Sequence, residues 1–186
     1  MSQKEFFRIR LYFTAAVAVL IWALLAWDYF HGGVPSHHLL ANENLPEISN
    51  GWGAVLLPVL TWVLLYRMHK RAFSQTDPSK ILKREVYGFA GALAFGIILS
   101  AFFTLGYPEY CSYMLMGLLA VAFFVPVYRA GCLLGFVLGM SYTFGAVLPT
   151  LIGSVLCLAS FVAYKLIRTA ILYMGAKVML LASVRK

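Results

Sequence analysis

Charge is what this 186-residue chain has least of. Only 12% of its residues are Asp, Glu, Lys or Arg, while 62% are hydrophobic and the mean hydropathy is +0.82. A soluble domain carries about 25% charged residues. So little charge cannot cover a water-facing surface, and most of the surface must face lipid. Acids are scarcer still, seven against fifteen Lys and Arg. The resulting net charge of +8 does not point to nucleic acid, because the basic residues sit in short flanks beside apolar runs. That is the pattern of loops touching anionic lipid on the cytoplasmic face.

Other absences narrow the chemistry. The three cysteines, Cys111, Cys132 and Cys157, form no CxxC pair and no zinc spacing, which argues against a disulfide framework. They read as small buried apolar groups. There is no HExxH and no HxxxH. No ionisable residue falls at the centre of any expected span, whereas proton- or ion-coupled carriers keep one there. The mid-span polar groups are hydroxyls, Thr61, Ser100, Tyr142, Thr143, Ser154 and Ser160, with no base in the same span to activate a nucleophile. No sequence repeat or low-complexity segment is present.

What is there is a set of apolar runs. A helix needs about 20 apolar residues to cross the hydrocarbon, and backbone in lipid must pair with itself. The expected fold class is an all-α polytopic membrane protein, a bundle of six transmembrane helices in a single domain over residues 1–186. The spans run over about 11–30, 51–67, 86–107, 110–128, 131–146 and 149–167. Residues 31–50 form an outer loop, 67–85 an inner loop and 169–186 a C-terminal interfacial segment. The basic start, Lys4, Arg8 and Arg10, resembles a signal peptide, but the long apolar stretch with no small-x-small cleavage site reads as a retained span.

Residues 130–164 contain no charge over 35 positions. As one helix they would extend about 52 Å, against a core of about 30 Å. Two short helices turning near Gly145 to Thr150 resolve this; a re-entrant pair is the rival. Six spans place all fifteen Lys and Arg on one face. The expected location is multi-pass in a plasma or bacterial inner membrane, with both termini cytoplasmic.

Small residues recur every four positions along the third span (Gly88, Ala92, Gly96, Ser100) and the fifth (Gly131, Gly135, Gly139). Such faces let helix backbones approach closely, within one subunit or in a homo-oligomer. Pro58 and Pro126 lie inside apolar runs and are expected to bend their helices.

The outer loop holds the candidate chemistry. It opens after Asp28 and His31 and continues through His37, His38, Glu43 and Glu47, with Glu109 opening the fourth span at the same depth. Imidazole and carboxylate together suit a divalent transition metal, with His31, His38, Asp28 and Glu43 as ligands. The same chemistry allows an acid–base site built from His31, His37, His38, Asp28 and Glu109, acting on a lipid-like substrate. Trp27, Tyr29, Phe30 and Trp52 rim this region at headgroup depth. The alternatives are a small oligomeric transporter or channel subunit, supported by the broken 130–164 segment, and a non-catalytic assembly subunit. The bilayer is the expected partner.

Overall fold

In the computed structural model, residues 2–38, 47–169, 173, 174 and 177 are described. Helix α1 spans Gln3–Phe30 and α2 Gly53–Phe73; α3 spans Pro78–Thr104 and α4 Pro108–Val121; α5 spans Ala130–Phe144 and α6 Val147–Phe161. A π-helical stretch, Val162–Ile167, prolongs α6. Between α1 and α2, strand β1 (Ser36–His38) pairs antiparallel with β2 (Glu47–Ser49). Among the described residues, the protein's regular structure apart from this hairpin is helical. Four helices among the described residues are long and apolar enough to cross a membrane: Gln3–Phe30, Asn50–Phe73, Pro78–Thr104 and Val147–Ile167. Its outward face is apolar, with Leu20, Trp22, Val55, Tyr87, Met116 and Val155 all exposed.

Helices α1 and α3 begin ahead of the expected spans, in the basic flanks, because their starts are capped. Ser2 and Glu5 form a reciprocal capping box on α1, the Ser2 backbone N–H donating to the Glu5 carboxylate at 2.7 Å. Asp77 caps α3 by accepting the Lys80 N–H at 3.2 Å, with Pro78 as the first helical residue. The loop between α2 and α3 is thereby reduced to residues 74–77. Helix α1 ends where Gly32 and Gly33 take φ of 124° and 99°, which lets the Gly33 N–H reach back to the Asp28 carbonyl.

Two expectations about proline resolve differently. Pro58 lies inside α2. Helix α4, however, stops at Val121, so Pro126 is buried in the irregular connection over 122–129 and kinks no helix. The apolar run alone could not show this stop, because Ala122 to Val125 are as hydrophobic as the helix before them.

The core is organised by the two glycine ladders, which face each other. A Cβ on Gly131 would lie 2.5 Å from the Glu85 carbonyl oxygen, and one on Gly139 would lie 2.6 Å from that of Leu93. One on Gly135 would overlap the Phe89 carbonyl oxygen. The contacts climb both sequences together, so α3 and α5 run parallel with their backbones in contact. These glycine faces are therefore occupied within the chain. The apolar core beside them joins Val17, Ile21, Leu57, Leu99, Val137 and Met140.

Helices α5 and α6 meet at Gly145, whose φ is 68°; a Cβ there would overlap the side chain of Asn50, which precedes α2. Their turn thus lies at the end opposite to the basic flanks. Helix α6 returns to the basic end, where Phe161 packs edge-on against Tyr128 at 5.5 Å.

Candidate functional site

The structure describes the expected outer residues in part. Asp28 and His31 occupy the last turn of α1 and the residue capping it. The His31 Nδ1 lies 2.9 Å from the Trp27 carbonyl oxygen, and its ring stacks on the Trp27 indole at 3.8 Å. The imidazole is thus held against its own helix. His37 and His38 lie on β1, His38 opposite Glu47 in the hairpin register; the side chains of His37, His38 and Glu47 are outside the described set. Glu43 also lies outside the described residues. Glu109 sits in the first turn of α4 and is exposed. Among the described residues, no three His, Cys, Asp or Glu side chains are grouped so as to hold a metal ion.

A different convergence occurs at the basic end. Glu85, in the second turn of α3, is 1% exposed. Its Oε2 accepts the backbone N–H of Gly131 at 3.1 Å. Gly131 lies in the first turn of α5, so the carboxylate of one helix caps the start of its neighbour. A helix start presents unpaired N–H groups and a partial positive charge, and an anion there satisfies both. A hydrogen bond to a charged group contributes about 1.5–3 kcal/mol. Only glycine fits here, because the Glu85 backbone and carboxylate both press on the Gly131 Cα.

Arginines surround this carboxylate. Arg71 Nη1 approaches Glu85 Oε1 at 3.5 Å, and its side chain remains 42% exposed. That exposure screens the pair and limits its worth. Arg129, the N-cap residue of α5, is half-buried, and its Nε is buried without a hydrogen-bond partner; so is Glu85 Oε1. Burial, followed by the charges of Arg71 and Arg84, lowers the Arg129 pKa, with Glu85 and Tyr128 opposing. A guanidinium nonetheless stays protonated, so the crowding is a cost that an added anion would relieve.

These groups open onto a cavity of about 550 Å³ at the basic ends of α2, α3, α5 and α6. Arg67, Arg71 and Arg129 line it with Glu85, Tyr128 and Ser154, over a floor of apolar residues such as Leu64 and Leu158. Three guanidinium groups against one carboxylate leave the cavity basic. Their planar, multidentate donors suit phosphate and carboxylate oxygens.

Sequence reasoning missed this site. Glu85 follows Lys83 and Arg84 and reads as part of a solvated loop. The available signal was position: Glu85 lies one turn before Gly88, on the small-residue face of the same helix. An acid on a close-packing face has no water to meet and must find a partner on the helix opposite.

Arg10 likewise reads from sequence as a flank charge. It is buried between α1 and α2, its guanidinium 3.9 Å from the Trp62 ring centroid and within 5.4 Å of those of Phe7 and Tyr66. It serves as a packing group. No family model, no curated protein and no solved structure matches the chain.

Proposed function

We propose that this chain is a six-span helical membrane protein with both termini on the cytoplasmic face, and that it binds an anionic group in the arginine cavity at its inner end. The parallel run of α3 and α5 supports six crossings, since α4 must then return between them. The α5–α6 turn beside Asn50 supports the last two. The basic flanks of α1, α2 and α3 supply the orientation.

The observation that carries the binding assignment is the convergence of Arg67, Arg71 and Arg129 on one cavity that holds a single, already engaged carboxylate. Basic pockets between membrane helices at the cytoplasmic side suit anionic headgroups. This reading moves the working face from the outer loop to the inner end.

Thermal unfolding of the detergent-solubilised protein with inorganic pyrophosphate tests the reading. Pyrophosphate should raise the Tm in a saturable, salt-sensitive manner, and Arg129→Gln should abolish the rise. No response in the unaltered protein would refute the assignment. Reporter fusions at the two termini address topology separately: accessibility of both from the cytoplasm is expected.

A further inference from the structure

A second cavity adjoins the arginine site. It is a groove of about 540 Å³ between α3, α4, α5 and α6, lined almost wholly by apolar side chains, among them Ala92, Phe95, Met114, Leu118 and Phe136. Leu133 and Cys157 line both cavities, so the basic and apolar spaces are contiguous. The rim is open, with Tyr87, Leu119 and Val121 exposed.

Glycine keeps this groove empty of side chains. A Cβ at Gly91 or Gly117 would meet nothing within 4 Å. These two differ from Gly131, Gly135 and Gly139, whose missing side chains let α3 and α5 touch. Gly91 and Gly117 bring no helices together; their absent side chains leave room. Along α3 the groove runs from Tyr87 to Phe95, about 12 Å at 1.5 Å per residue. One leaflet of a hydrocarbon core about 30 Å thick is about 15 Å deep. The groove thus reaches from the basic end through most of one leaflet.

We propose that the occupant is an inner-leaflet phospholipid with an anionic headgroup, its phosphate among Arg67, Arg71 and Arg129 and one acyl chain in the groove. This deepens, and rests on, the anion reading of the arginine cavity. Charge complementarity selects the head, and the apolar continuation selects a molecule with a tail. Moving a chain from lipid to groove gains no hydrophobic energy, so selection relies on packing and on the headgroup contacts. Uncharged and zwitterionic lipids should therefore bind more weakly.

The test compares three probes on the full chain in mixed micelles: phosphatidylglycerol, phosphatidylcholine and inorganic pyrophosphate. Phosphatidylglycerol should raise the Tm at lower concentration than either of the others. Gly117→Leu, which projects a side chain into the groove, should remove the advantage of phosphatidylglycerol while leaving the pyrophosphate response intact. Arg129→Gln should remove both responses. A photo-crosslinking residue at position 117 should yield a lipid adduct by mass.

Pyrophosphate binding with no added benefit from phosphatidylglycerol would overturn the lipid proposal and leave the anion site standing. Equal responses to phosphatidylglycerol and phosphatidylcholine would also overturn it. Loss of every response in the unaltered protein would sink both readings. A crosslink from position 117 to the C-terminal tail or to a second copy would identify a different occupant and overturn the lipid.

Discussion

The Glu85 carboxylate accepts the backbone N–H of Gly131 at 3.1 Å, tying the second turn of α3 to the first turn of α5. The carboxylate serves as the cap that α5 does not supply for itself, since its N-cap residue, Arg129, makes no side-chain capping bond. Glu85→Ala should therefore destabilise the protein by about 1.5–3 kcal/mol, the worth of a hydrogen bond to a charged group. Glu85→Gln keeps an acceptor but loses the charge, and should cost less. Chemical unfolding in detergent measures both, and equal losses would show that the carboxylate's charge, not its capping oxygen, is what α5 depends on.

The glycines divide into two classes with opposite expected behaviour. Gly135→Ala places a methyl against the Phe89 carbonyl and should cost about 1–3 kcal/mol through overpacking. Gly91→Ala meets open space, and should be neutral or stabilising by up to about 1 kcal/mol through helix propensity. Thermal unfolding of the two variants side by side decides the matter. Similar losses for both would contradict the distinction between a contact face and an open groove.

Among the described residues, Arg10 and Trp62 make the closest cation–π contact, at 3.9 Å. Trp62→Leu keeps apolar bulk and removes the ring face, and a desolvated contact of this kind is worth about 2 kcal/mol. The expected loss is of that size. Arg10→Lys should recover only part of the native stability, because an ammonium lacks the flat guanidinium surface. Retention of full stability in Trp62→Leu would reduce Arg10 to a flank charge.

Acid should loosen the start of α3. The Asp77 carboxyl is held below its ordinary value first by the Ser79 hydroxyl, and then by the Lys80 backbone N–H. Because the folded value is depressed, the stabilisation is complete above the ordinary value of 3.8 and is lost as pH falls through the folded one. Hydrogen exchange at Lys80 and Ile81 should lose protection in that window. In Asp77→Asn, where the cap does not titrate, protection should not depend on pH. Parallel behaviour of the two proteins would rule out the carboxyl as the source.

The helical class and the approximate positions of the apolar helices were legible in the sequence. So was the turn near Gly145. These follow from local rules of apolar length and glycine conformation. The end of α4 was hidden because no polar residue marks it. Glu85 and Arg10 were misplaced for a shared reason. Charge patterning assigns a side to a flank but not a depth to an individual side chain, and both residues are buried by neighbours more than 45 positions away in sequence, Gly131 and Trp62. The outer polar residues were readable as a cluster in sequence; His31 is committed to Trp27, Asp28 lies on α1, Glu109 on α4, and His37, His38 and Glu47 on the hairpin.

The partnership of α3 with α5 also bears on how the chain is made. Synthesis delivers α3 and α4 before the partner of α3 exists. Until α5 is inserted, the α3 ladder faces lipid or a transient companion, and Glu85 lacks the amide that holds it. At that stage Glu85, at the inner end of α3, can meet Arg71 of α2, while the α3 face that α5 will cover has no partner from this chain. The fold makes arrival of its fifth helix the step that closes the α3 face and completes the bonding of Glu85.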